Sequence, residues 1–321
     1  MERENFIKYL ENRDLQKKTI HYSVKFVSQF LEKTKKEDLQ IVKSDVLNFL
    51  KYLKTKNIQN AYRYLYLNAL NHYFTMLYKN GKIAENPCLL LKIRGIRRKK
   101  LYKIYTSEDL DQLFDNYYQL FVRNFDDGYM PKNVRNLSEL NRGRNALILS
   151  VLIYQGTTTG EIEKIELADL DFIKATLKIR GGLCSNPRTL PLKATQIGLI
   201  MNYLQNIRPQ LVGYHKKESD LLFLASKDVG KTGKKNVTKN SLNLANSTFP
   251  LLTKQVKSID KQFNNFKQIR ASVITNWLKT EGLRKTQYLA GHRFISSTEN
   301  YLPNNLDNLI DDINKLHPFD F

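Results

Sequence analysis

Apolar residues recur at helical spacing from Lys8 to Asn80. Between Thr19 and Leu31 they fall at Tyr22, Val24, Phe26, Val27, Phe30 and Leu31, the three-and-four stepping of one helix face, and Lys8 to Leu10 begins the same pattern. Ser44 stands ahead of Val46, Leu47, Phe49, Leu50 and Leu53. This predicts an N-cap and an amphipathic helix, because a serine hydroxyl accepts from the unpaired N–H groups of a first turn. A tyrosine-rich helix is predicted from Gln59 to Asn80, through Tyr62, Tyr64, Leu67, Leu70, Tyr73, Phe74 and Leu77. Asn80-Gly81 suits its C-terminal stop, where a left-handed residue is favoured, and Asn86-Pro87 breaks the pattern.

Beyond Tyr105 the pattern changes. Thr106 with Asp109 predicts a capping box ahead of Leu110, Leu113 and Phe114. Asn116 to Asn141 is polar and reads as an irregular insertion, and Arg144 to Tyr154 reads as a buried helix. Thr176 to Arg180 and Arg188 to Leu192 alternate or carry β-branched residues and flank Gly181-Gly182 and Asn186-Pro187, which predicts a hairpin. Leu221 to Ala225 reads as another short strand, and helices return from Leu251 to Leu316. The expected fold is therefore mainly α: a helical bundle over 1–92, a linker over 93–104, and an α+β domain with a small antiparallel sheet over 105–321. The chain shows no repeat of solenoid length.

Charge narrows the partners. The chain has 321 residues, enough for about two domains, and 41% of them are hydrophobic, so it can bury cores. Its 52 Lys and Arg against 31 Asp and Glu leave +21, which implies a polyanion, with nucleic acid ahead of an anionic membrane. Lys92 to Lys103, KIRGIRRKKLYK, holds seven basic residues and no acidic one. A linker crossing a phosphate backbone needs that composition, which makes Arg94, Arg97, Arg98, Lys99 and Lys100 candidate DNA contacts.

No apolar run is long enough for a membrane helix; the longest, Ala146 to Tyr154, is broken by Ser150. The N-terminus has no apolar core of a secretory signal. Cys88 and Cys184 make neither metal spacing nor a disulfide framework, so a cytoplasmic, reducing location is expected.

Other chemistries fit poorly. Ala225 to Thr232, ASKDVGKT, resembles a relaxed phosphate-binding loop, but GKKNVTKN follows, which builds no core-facing helix, and the first glycine is missing. His21, His72, His215, His292 and His317 lack zinc-ligand spacing. No paired acidic cluster suggests a two-metal nuclease. Neither metal nor cofactor is expected.

The informative segment is Phe266 to Tyr301, FKQIRASVITNWLKTEGLRKTQYLAGHRFISSTENY. It reads as a helix opened by Arg270, a stop at Gly282, a second helix, a Gly291-His292 turn, and Tyr301 nine positions after His292. A phenol attacking a phosphodiester generates a phosphorane with extra negative charge, which fixed cationic donors stabilise. Arg270 offers a planar fork, His292 a further donor, and Tyr301 a nucleophile whose ordinary pKa near 10 demands a base or a positive site.

This order and spacing resemble the C-terminal signature of the tyrosine recombinase (phage-type integrase) family. Leu289-Ala290-Gly291-His292 is similar to its Leu-Gly-His turn and Ser297-Thr298-Glu299-Asn300-Tyr301 to its Thr-Thr-x-x-Tyr run. The resemblance extends over nearly the whole chain. It implies an N-terminal core-binding domain, a catalytic domain, and a final helix, Asn305 to Leu316, that docks on a neighbouring protomer. It implies Tyr301 as nucleophile of a 3′-phosphotyrosyl intermediate, Arg270, His292 and Lys267 as its catalytic partners, and no cofactor. Its partner is double-stranded DNA, bound by a homotetramer assembled from monomers, with accessory DNA-bending proteins where the element uses them. The expected biology is integration, excision or inversion of a mobile element, or chromosome-dimer resolution, at the bacterial nucleoid.

The family pattern is broken at three positions. Gly156-Thr-Thr158-Thr-Gly-Glu161 puts Thr158 where the family has its first catalytic arginine. Leu183 stands at the hairpin lysine, and Lys267 replaces a histidine. Loss of the arginine costs a phosphate donor. Lys178, Arg180, Arg142 or Arg144 is expected to fill the gap, with Lys178 also a substitute for the lysine. Two rivals remain: a DNA-binding module that keeps the fold without catalysis, favoured by Thr158 and Leu183, and a type IB topoisomerase, which shares the chemistry.

Overall fold

The computed structural model describes residues 1–95, 103–124, 132–182, 185–215, 219–225 and 244–302. The chain divides into two compact units, Met1–Lys100 and Leu101–Phe321.

The first unit is built from four helices: α1 (Arg3–Glu11), α2 (Lys17–Thr34), α3 (Lys43–Thr55) and α4 (Asn60–Lys79). Its core is aromatic. Phe6 meets Tyr73 edge-on at 5.1 Å, and Phe30 meets Phe49 and Phe74 in the same manner at 5.1 and 6.2 Å. Two details differ from the pattern reading. Helix α3 starts before Ser44: the Asp45 carboxylate accepts from the Val42 N–H at 3.0 Å and does the capping that Ser44 was expected to do. Tyr62 and Tyr64 are each 44% exposed, and Tyr66 instead fills the core face, 4.1 Å from Phe26 between ring centroids. Positions 62 and 66 are one turn apart, so both contact Phe26, but only the latter reaches inward.

The second unit is organised around α6 (Lys132–Tyr154), whose run from Ala146 to Ile153 is buried on every face. A helix stretch apolar nearly all round must be surrounded, and α5 (Ser107–Tyr118), α8 (Ala194–Asn202) with the π-turn Tyr203–Ile207 that leads on to α9 (Arg208–His215), and α11 (Phe266–Ala290) pack against it. Thr106 and Asp109 form the expected capping box, N–H to side chain at 2.9 and 3.1 Å in each direction. The expected irregular insertion is corrected: α5 continues through a π-turn, Gln119–Arg123, and α6 already begins at Lys132. Its first turns are polar because they carry only single inward residues, Leu137 and Leu140.

A three-stranded antiparallel sheet follows the short helix α7 (Thr159–Ile162): β1 (Leu170–Asp171), β2 (Thr176–Ile179) and β3 (Arg188–Pro191). The register pairs Leu177 with Leu190, Lys178 with Thr189 and Ile179 with Arg188. Since side chains alternate, Leu177, Ile179, Leu190 and Arg188 share the buried face, and Lys178 lies on the exposed one. The strand expected over Leu221 to Ala225 is absent. That segment makes only an isolated bridge from Leu221 to Glu166, and its apolar side chains fill the core from a loop. Helix α10 (Thr248–Ile259) leads to α11, which is interrupted at Gly282, where φ is +73°. Helix α12 (Ile295–Glu299) ends the described chain.

Two substitutions separate core from cap. Leu152→Ala, at a fully buried site in α6, is expected to cost about 2–5 kcal/mol, and Thr106→Ala about 1 kcal/mol. Urea unfolding with an unchanged denaturant slope measures both; equal losses would contradict the burial assigned to α6.

Candidate active site

Arg270 is the centre around which the candidate residues gather. Asn265 caps α11 by accepting from the Lys267 N–H at 3.0 Å, and the first turn then carries Arg270 inward, leaving it 9% exposed. Its guanidinium donates to the Gly156 carbonyl and, at 2.8 Å, to the Ala290 carbonyl. One nitrogen also lies 3.4 Å from His292 Nε2. Tyr301 is near enough to act electrostatically on this guanidinium. The end of α6, both ends of α11 and the last turn of the described chain are thus tied to one cation.

The His292 tautomer follows from its partners. A guanidinium only donates, so Nε2 accepts; Nδ1 then carries the proton and donates to Thr298 Oγ1 at 2.9 Å. The ring lies nearly parallel to Tyr301, with centroids 5.7 Å apart and planes 13° apart. Gly291 makes the turn possible. Its φ is +68°, and a Cβ there would fall 2.5 Å from Arg188 Nη1 and 2.9 Å from the Asn186 carbonyl oxygen. The Asn186 N–H in turn donates to the Gly291 carbonyl at 2.9 Å, which fastens the β2–β3 hairpin to the histidine turn.

One carboxylate enters this cluster. Glu161 accepts from Arg188 Nη1 at 2.6 Å and Nη2 at 3.3 Å, and from the Thr158 N–H at 2.8 Å and hydroxyl at 3.0 Å. Arg270 Nη1 stands 3.8 Å away. Burial alone would raise the Glu161 pKa, but the hydrogen bonds and charge of Arg188, with the charge of Arg270, hold it below the usual carboxylate value. Burial lowers Arg270 from the ordinary guanidinium value, against the pull of Glu161. Burial, then Arg270, then Arg188 push His292 down to about 4, so the ring is neutral.

Tyr301, His292 and Arg270 therefore meet. Lys267 is exposed, one turn before Arg270. Thr158 is the N-cap of α7, its hydroxyl bonded to the Glu161 N–H at 3.2 Å. The cations expected to fill the gap at Thr158 are placed otherwise. Arg144 is buried in α6 and donates to the Leu224 carbonyl and Asn145; Arg142, also buried, donates to Ser138 at 2.7 Å. Arg180 is paired with Glu166 and Asp169. Lys178 stands on the outer face of the sheet. Arg188, Glu161 and Thr298, none of them singled out from the sequence, join the cluster instead. The available signal was the register of β3, which makes Arg188 the one charged residue on an inner face shared with Leu177, Ile179 and Leu190. Arg94 is exposed, and its carbonyl accepts from Asn60 at 2.9 Å. Arg97, Arg98, Lys99, Lys100, Leu183 and the helix expected over Asn305 to Leu316 lie outside the described residues. Among the described residues, no cluster of three or more His, Cys, Asp or Glu could hold a metal ion, and no helix is long and apolar enough to cross a membrane.

The His292 ring is expected to titrate near 4 in the protein without DNA, not near the ordinary 6.5. The unfolded chain then takes up a proton that the folded site refuses, so stability falls as pH drops from 6.5 toward 4. Ring-proton NMR locates the midpoint, and His292→Asn should flatten that part of the melting profile; a midpoint at 6.5 would show an unshielded ring. Gly291→Ala should lose the His292–Thr298 hydrogen bond, which the same spectra report.

Residues 131–307 match the phage integrase family. The chain is 26% identical over 282 residues to the tyrosine recombinase XerC of Natranaerobius thermophilus, covering 87% of this chain and 84% of that one. It is also 26% identical over 301 residues to the tyrosine recombinase XerA of Pyrococcus furiosus, covering 93% and 87%. Among solved structures, the XerH site-specific recombinase in a post-cleavage complex with its difH substrate superposes with a TM-score of 0.63 at 20% identity, over 90% of this chain and 76% of that one. A lambda integrase tetramer bound to a Holliday junction gives 0.57 at 12% identity, over 93% and 75%. With more than half of the chain matched, this protein belongs to the phage integrase family.

Proposed function

We propose that this protein is a site-specific DNA recombinase that cuts and rejoins duplex DNA through Tyr301. The observation that carries the reading is the stacked pair of Tyr301 and neutral His292, with the His292 ring 3.4 Å from the buried Arg270 guanidinium. The phenol gives up its proton to solvent as its oxygen attacks the scissile phosphorus, the bond from phosphorus to the 5′ oxygen breaks, and that oxygen takes a proton from solvent and leaves as a free hydroxyl. The strand remains joined to Tyr301 by its 3′ phosphate. Attack by another 5′ hydroxyl reverses the step, so the energy of the broken bond is conserved and no nucleotide triphosphate is consumed.

Arg270 holds the non-bridging oxygens and offsets the charge that builds on them. Neutral His292 stands beside Tyr301 at the same place and adds no charge of its own. Lys267, exposed at the same helix start, adds a cation on the solvent side. The +21 charge, with its run over Lys92 to Lys103, supplies the sequence-independent grip on the duplex. Exchange between two duplexes takes four protomers, and the likeness to a lambda integrase tetramer supports that assembly. The segment Asn305 to Leu316 is the candidate docking element between them, and the nucleoid in the cytoplasm is the proposed place of work.

A nicked suicide substrate carrying the element's end tests the reading. Wild type should form a covalent adduct, Tyr301→Phe none, and Arg270→Ala should cleave about 100-fold or more slowly. Tight binding by wild type with no adduct would leave a DNA-binding module. Affinity should also fall at least about tenfold between 50 and 200 mM salt; a flat response would remove the electrostatic part of the reading.

A further inference from the structure

Glu161 poses a problem for a phosphate-binding site. It is ionised, it lies 3.8 Å from Arg270, and its charge opposes both the cation and an approaching anion. Taken alone, the pair Glu161 and Arg270 is neutral. The charge left for a phosphate depends on Arg188, whose side chain is fully buried and whose two terminal nitrogens both point to that carboxylate. Among the described residues its Nε has no partner, so the whole interaction of this guanidinium is spent on Glu161. Nothing in the sheet requires a cation there, because the other residues of the inner face are apolar. A buried guanidinium persists only where a partner repays its desolvation.

We propose that Arg188 is a positioning residue for strand cleavage: it neutralises Glu161 so that the charge of Arg270 stays available to the scissile phosphate. Glu161 contributes −1, Arg188 and Arg270 +1 each, and neutral His292 nothing, which leaves +1; without Arg188 the sum is zero. Arg188 also lies directly beneath Gly291, so the cation that answers Glu161 supports the turn presenting His292. The residue at 158 cannot perform this service. Thr158 reaches Glu161 as a hydrogen-bonding cap 3.0 Å away and carries no charge. The inference rests on the recombinase reading.

The test uses the full chain in single-turnover cleavage of the suicide substrate, alongside the same DNA with an uncharged methylphosphonate at the scissile position. Arg188→Gln should slow cleavage of the phosphate substrate about 100-fold, keep DNA affinity within threefold, and lose most of that deficit on the uncharged substrate, where no anion needs the missing charge. Adding Glu161→Gln restores the net charge to +1 and should return the phosphate rate to within tenfold of wild type. If Arg188→Gln fails to fold, the double variant, which buries no unpaired carboxylate, decides alone. The proposal is overturned by Arg188→Gln cleaving at the wild-type rate, by an equal deficit on both substrates, or by a folded double variant that binds DNA without cleaving it. Absence of an adduct with wild type would overturn the recombinase reading and the role of Arg188 with it, whereas an adduct with wild type leaves the Arg188 variants to decide the inference alone.

Discussion

The second unit depends on one buried cation having every direction answered. Arg270 is planar, charged and almost wholly withdrawn from water, a state that is costly unless its donors are paired. The pairs it finds are the carbonyls of Gly156 and Ala290, the His292 ring and, at longer range, Glu161. They come from two stretches, Gly156 to Glu161 and Ala290 to His292. The guanidinium therefore fixes the end of α6 against both ends of α11, and it leaves one side of itself toward Tyr301.

The surrounding elements serve that arrangement. The buried run of α6 from Ala146 to Ile153 gives a firm axis, and the chain beyond its end delivers Gly156 in the left-handed conformation, φ +55°, with no room for a side chain beside Val273 and Trp277. The small sheet brings a charged residue to an inner face. The Gly291 turn lies against Arg188, and the Asn186 N–H donates to its carbonyl, so hairpin and histidine turn are joined. A site assembled from helix ends and turns on rigid supports suits chemistry in which a phosphorus atom must meet a phenol and several donors within a few tenths of an ångström.

The proposed charge balance turns on Glu161, three positions after Thr158, which is answered from β3 by Arg188. Thr158 then takes a local task, capping α7 through a reciprocal bond with Glu161. The cations expected from the sequence at that gap are engaged elsewhere. The helix expected from Arg144 begins at Lys132, which makes Arg142 and Arg144 buried α6 residues, and Arg180 is drawn to Glu166 and Asp169 ahead of β1.

The sequence by itself determined what depends on neighbours a few positions away. Helical stepping of apolar residues, the Thr106–Asp109 box, the Gly282 break, the Gly-Gly and Asn-Pro breakers of the hairpin and the spacing from Arg270 through His292 to Tyr301 are local, because caps, turns and helix faces are set within about one turn. Hence the mainly helical fold, the family and three of the gathered residues were legible. Only tertiary structure decided which charges meet. Arg188 and Glu161 are 27 positions apart and Arg270 and Gly156 are 114 apart, and no periodicity encodes such pairs. They form because folding removes water from groups that must then be paired, and the partner each finds is whichever one the packing of α6, α11 and the hairpin brings within reach.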